Sequence, residues 1–112
     1  MTIDFLQKFA DALGEIYQRQ KYSHPILIAR DTRSSGIIIE DLLSSVLNFK
    51  GINVELAGVL PTPALSKLMQ LGDFSFGVMI SASHNPHHDN GIKMFGANGF
   101  KLESGIEAEI EE

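Results

Sequence analysis

Apolar residues along the chain fall into alternating long and short patterns. From Thr2 to about Tyr17, the residues Ile3, Leu6, Phe9, Ala10, Leu13, Ile16 and Tyr17 recur at steps of three and four, the period of one helix face. Ser23-His24-Pro25 breaks that pattern, and Ile26-Leu27-Ile28-Ala29 follows, too short for a helix and rich in β-branched residues, so it reads as a buried strand. After a polar stretch from Arg30 to Gly36, the residues Ile38, Leu42, Leu43, Val46, Leu47 and Phe49 predict a second helix stopping near Lys50-Gly51. Ile52 to Ala57 reads as the next strand. Pro61-Thr62-Pro63 reads as a helix start with Thr62 as its cap and Pro63 in the first helical position, and Leu65, Leu68, Met69 and Leu71 form the buried side. Phe76 to Ile80 predicts a third strand and Ile92 to Phe95 a fourth strand or hairpin arm, while Glu103 to Glu112 begins another helical pattern through Ile106 and Ile110.

This alternation of strands and helices implies a mostly parallel sheet with helices on its faces. The expected fold is therefore a three-layer α/β/α domain with a mixed, mostly parallel four-stranded sheet, and residues 1–112 form one domain.

Composition narrows the function classes. With 44% hydrophobic and 21% charged residues the chain has the balance of a globular protein. It contains no cysteine, so disulfides and thiolate metal sites are excluded, and a cytoplasmic setting is compatible. A formal net charge of -5 argues against nucleic acid as a partner, because that binding relies on basic side chains displacing counterions. No apolar run approaches the roughly 18 residues that span a bilayer, so no membrane association is expected.

In open α/β sheets the chemistry-bearing residues gather in loops beyond the carboxyl ends of the strands. Two polar loops fit that position. The first, Arg30-Asp31-Thr32-Arg33-Ser34-Ser35-Gly36, can hold an anion through hydroxyls, amides and a helix N-terminus; equally, Ser34 or Ser35 can cap the helix while Asp31 pairs with an arginine. The second, Ser81-Ala82-Ser83-His84-Asn85-Pro86-His87-His88-Asp89-Asn90-Gly91-Ile92-Lys93, concentrates hydroxyls, imidazoles, a carboxylate and a lysine. A serine hydrolase would need glycines flanking Ser83, which has none. The spacing of His84, His87, His88 and Asp89 matches no helix-borne or finger-like zinc pattern. Phosphoryl transfer through a covalent phosphoserine needs an exposed hydroxyl, cations to hold charged oxygens and a nearby acid or base, and Ser83, His84 and Lys93 supply those groups.

Ser81-Ala82-Ser83-His84-Asn85-Pro86 followed by Asp89-Asn90-Gly91-Ile92-Lys93 resembles the active-site serine loop of the α-D-phosphohexomutases. Asp31-Thr32-Arg33-Ser34-Ser35-Gly36 resembles the family's Asp-x-Arg-x-Ser-Gly segment, and Gly58 to Pro63 resembles its Pro-Thr-Pro turn. The stretch from Ile92 to Leu102 is most similar to the bacterial branch that interconverts glucosamine 6-phosphate and glucosamine 1-phosphate.

The resemblance implies that Ser83 is phosphorylated, donates its phosphoryl group to a phosphosugar and recovers one from a bisphosphate intermediate, with hexose 1,6-bisphosphate as activator. Its phosphate would also be a ligand of Mg²⁺. Lys93 would transfer protons or stabilise charge, His84 would line the site, and Asp31, Arg33 and Asn85 would support the loop. Family members have four domains. The opening Gly-Thr-x-Gly-Ile-Arg-Gly segment, the aspartate-rich Mg²⁺ loop, the sugar-selecting loop and the phosphate-binding loop are not among these residues. The expectation is thus a first domain lacking its N-terminal segment and three partner domains, inactive alone, with an exposed sheet edge that can self-associate. Two alternatives are a phosphomannomutase or phosphoglucomutase domain, and a stand-alone, non-catalytic domain that binds a sugar phosphate or a protein.

Overall fold

The computed structural model describes residues 3–19, 23–32, 34–80 and 92–99. The elements run α1 (Ile3–Arg19), β1 (Ile26–Arg30), α2 (Ser34–Phe49), β2 (Val54–Val59), α3 (Thr62–Leu71), β3 (Phe76–Ile80) and β4 (Ile92–Gly96). The strands form one sheet in the order β2-β1-β3-β4, with β1 parallel to both β2 and β3 and with β4 antiparallel to β3. Right-handed crossovers explain the layering. The step from β1 to β2 moves one way across the sheet and the step from β2 to β3 moves back over β1, so the connecting helices α2 and α3 cover opposite faces. The expected α/β/α sandwich is observed.

Side-chain alternation along the strands separates two cores. Ile26 and Ile28 of β1, Phe76, Val78 and Ile80 of β3 and Met94 of β4 face α1 and α2, where they meet Phe9, Leu13, Ile16, Leu43 and Leu47. Leu27, Ala29, Met79 and Phe95 point the other way, onto Leu65 and Met69 of α3. Leu13, Leu43, Leu47 and Leu65 are fully buried, each contributing about 1.5–3 kcal/mol relative to an exposed side chain. Lys50 binds the two helices of the larger layer: its ammonium lies 3.2 Å from Asp11 Oδ1 and its stem crosses Gly14. At the amino-terminal edge of the sheet, Tyr17 Oη and Ser75 Oγ both donate to the carbonyl of His24, at 2.7 and 2.6 Å.

Three local expectations change. Helix α2 begins at Ser34 rather than Ile38, because its buried face opens on Gly36, which has no apolar side chain to announce it. Strand β2 runs Val54–Val59, two residues later than Ile52 to Ala57. Ile52 is buried beside α1, and the ladder starts where Ile26 N–H donates to the Asn53 carbonyl at 3.0 Å. Pro61, not Thr62, is the N-cap of α3. Its backbone is extended, with φ -71° and ψ 155°, and its carbonyl accepts from Ala64 and Leu65, so Thr62 already lies inside the helix and makes no side-chain cap. The helical pattern from Glu103 lies outside the described residues.

Among the described residues β2 and β4 form the sheet edges. Helix α2 is apolar on its outer side as well: Ile38 is 71% and Phe49 93% exposed. No helix among the described residues is long and apolar enough to cross a membrane.

Candidate active site at the carboxyl edge of the sheet

The parallel strands β1, β2 and β3 all end at one edge, and antiparallel β4 begins there. Two backbone hydrogen bonds extend the ladder past the strand ends: Leu60 N–H donates to the Arg30 carbonyl and Asp31 N–H to the Ile80 carbonyl, both at 3.0 Å. Ile80 pairs with Ile92 across the antiparallel register. The two described residues that flank positions 81–91 are therefore neighbours in the sheet, with backbones about 5 Å apart.

Asp31 follows β1, on one side of the end of β3, and is partly buried; Lys93 lies on β4, on the other side, opposite Met79 and exposed. Two strand spacings across and two residues along the strands put their backbones about 12 Å apart. Ser83, His84, Asn85 and Arg33 lie outside the described residues. The structure thus brings Asp31 and Lys93 to one edge and places there the two ends of the segment that contains Ser83, His84 and Asn85.

Beneath this edge lies a charged pair that the sequence reading did not identify. Arg30 falls on the α2 face of β1, where its Nε sits 3.1 Å from Glu40 Oε2. The contact is short but off the line of a hydrogen bond, so both atoms are buried without one. Arg30 Nη1 approaches the Asp31 carbonyl at 3.5 Å, the long limit for such a bond. The stem of this side chain runs beside Gly36, where a Cβ would rest 3.5 Å from Arg30 Cβ and Cδ, in ordinary contact. The signal was present in the sequence, because Glu40 falls on the inward stripe Gly36, Glu40, Leu43, Leu47 of an otherwise apolar helix face. Among the described residues no three histidine, cysteine or acidic side chains gather to hold a metal ion.

Comparison with known proteins agrees with this architecture. Residues 1–112 match the family model described as phosphoglucomutase/phosphomannomutase, alpha/beta/alpha domain I. The chain is 47% identical to a phosphoglucosamine mutase of Bartonella tribocorum over 112 residues, which is all of this chain and 25% of the relative. Against a phosphoglucosamine mutase of Gluconacetobacter diazotrophicus the identity is 48%, with the same coverage. The crystal structure of a protein described as a phosphomannomutase from Thermus thermophilus superposes with a TM-score of 0.81 at 28% identity, covering 99% of this chain and 25% of that one. The chain thus spans about a quarter of the length of the curated relatives it matches.

Proposed function

The chain belongs to the phosphoglucomutase/phosphomannomutase family as its domain I, and from that premise we propose that it carries the phosphoserine of an intramolecular phosphotransferase. The reaction is the interconversion of glucosamine 6-phosphate and glucosamine 1-phosphate, with Ser83 as the phosphoryl carrier. A free hydroxyl of the sugar phosphate attacks the phosphorus on Ser83, the P–Oγ bond breaks as the new P–O bond forms, and the hydroxyl proton passes to a base in the site. The product is a 1,6-bisphosphate. After it turns around, Ser83 Oγ attacks the other phosphoryl group and the second monophosphate leaves, so phosphate and protons balance over the cycle.

The observation that carries this reading is the register of the β3–β4 pair. It pairs Ile80 with Ile92, the described residues on either side of the Ser83 sequence, at the carboxyl edge that also bears Asp31 and Lys93, in a chain that matches domain I throughout, and this supports the reading. Lys93, exposed at that edge, offsets charge on the transferring phosphoryl group or moves its proton. His84 lines the site, and Asp31, Arg33 and Asn85 support the loop. Mg²⁺ would take the Ser83 phosphate as its ligand from this chain and its other ligands from further domains. The described residues hold no cluster of three side chains that fits the ion by itself. The apolar outer side of α2 supports a domain that works packed against further protein, cytoplasmic like its substrates, rather than alone. The glucosamine branch is favoured by the names and identities of the Bartonella and Gluconacetobacter relatives.

The test is phosphopeptide mapping of the full-length polypeptide after incubation with hexose 1,6-bisphosphate and Mg²⁺, followed by turnover assays. Phosphate on Ser83 and conversion of glucosamine 6-phosphate are expected. Faster turnover of mannose or glucose 6-phosphate would move the protein to another branch, and an unmodified Ser83 without turnover would refute the reading in favour of a binding domain.

A further inference from the structure

Among the described residues Glu40 is the one buried carboxylate, and it occupies a helix position where a leucine would pack against the sheet. Stability alone is a weak reason for it. A buried ion pair loses so much hydration that apolar side chains of similar volume serve as well or better, and the Arg30–Glu40 contact lacks the alignment that would make it strong. What such a pair supplies, and an apolar pair does not, is direction.

Arg30 is the last residue of β1, and its atoms reach four neighbours. The carbonyl accepts from Leu60, the stem lies against Gly36 of α2, Nε faces Glu40, and Nη1 approaches the Asp31 carbonyl. The Asp31 N–H, in the peptide unit before that carbonyl, donates to the carbonyl of Ile80, where β3 ends. An unbroken chain of contacts therefore runs from Glu40 through Arg30 and Asp31 to the root of residues 81–91. We infer that Arg30 and Glu40 are positioning residues for the serine loop: the charge pair fixes the first turns of α2 against β1, holds the backbone on both sides of the Asp31 Cα, and so sets the end of β3 at Ile80, the anchor from which the loop's sequence continues. This inference rests on the reading of that loop as the phosphoryl carrier.

The experiment compares three variants of the full-length polypeptide: Arg30→Met, the double variant Arg30→Met/Glu40→Met, and Leu47→Ala as a core control on the same helix. Kinetics are read at a temperature where all three are folded by circular dichroism. The double variant removes both charges together and should recover thermal stability lost by Arg30→Met. If the pair positions the loop, its kcat stays about tenfold to a hundredfold below the unmodified enzyme with KM little changed, while Leu47→Ala keeps its kcat. A double variant whose kcat is no lower than that of Leu47→Ala would overturn the inference. Amide exchange at Asp31 gives a second readout that needs no activity: in the double variant it should quicken while Ile28 and Val78 stay protected, and unchanged exchange at Asp31 would equally overturn the inference. An unmodified enzyme that takes no phosphate at Ser83 would refute the functional reading by itself, leaving exchange at Asp31 to decide the positioning claim.

Discussion

Two glycines share a backbone conformation and differ in what surrounds them, which separates two costs that usually occur together. Gly51 has φ 85° and ends α2, with its N–H donating to the Asn48 carbonyl at 2.9 Å; Gly99 has φ 84° and closes the turn after β4, with its N–H donating to the Gly96 carbonyl at 2.9 Å. A Cβ on Gly51 would meet nothing within 4 Å, whereas on Gly99 it would lie 2.7 Å from the Ser66 carbonyl oxygen and 2.7 Å from Gln70 Cγ. Ser66 Oγ also donates to the Gly99 carbonyl, so helix and turn cannot easily separate. Alanine at either position meets the left-handed strain, a net cost of about 1 kcal/mol. At Gly99 an overpacking cost of about 1–3 kcal/mol is added, because Ser66 O is backbone and has no rotamer to move to. Gly99→Ala should therefore be less stable than Gly51→Ala by about 1–3 kcal/mol, or at least about 4 °C in Tm for a domain of this size. Urea unfolding with a common slope measures the difference. Equal midpoints would refute the packing of the 96–99 turn on α3, and with it the anchoring of the strand that carries Lys93.

Other expectations follow from the same structure. Ser83→Ala should take up no phosphate from hexose 1,6-bisphosphate in phosphopeptide mapping, yet unfold at the same temperature as the unmodified protein. Lys93→Met, on an exposed strand position, should lower kcat by about 10²-fold with little change in Tm, as steady-state kinetics and calorimetry would show. On one helix, in denaturant unfolding of residues 1–112 by themselves, Leu47→Ala should cost about 2–5 kcal/mol and Phe49→Ser less than about 0.5 kcal/mol, because Leu47 is fully buried and Phe49 is 93% exposed. Tyr17→Phe should cost about 1 kcal/mol through the lost hydrogen bond to His24.

The fold was legible wherever an element's period was carried by its own side chains. Strand β3 appears as Phe76 to Ile80 in both sequence and structure, since all five residues are buried and interrupted by nothing polar. Strand β2 was harder, because an edge strand with the exposed residues Glu55, Leu56 and Val59 has no clean alternation, and a register shift falls between the partners of Ile28 and Ala29. The cap of α3 depended on the competition between Thr62, which has a capping hydroxyl, and Pro61, whose fixed φ and free carbonyl suit the position as well. At the site, motif order drew attention to Asp31 and Lys93, and the strand register brings them to one edge. The helical period marks Glu40 as inward, but its pairing with Arg30 depends on how a strand end meets a helix two turns in, which neither element's period encodes.

The pinning of Ile80 against Ile92 has a consequence for how this domain can change. Since the ladder closes the segment between them, altering that segment does not reopen the sheet, and doubling a flexible loop's length costs only about 0.6 kcal/mol in closure entropy. The stretch between these two residues is in that sense an exchangeable cassette. New sequences can be inserted between the same two anchor residues and selected for chemistry, while the packed layers beneath carry the folding requirement unchanged.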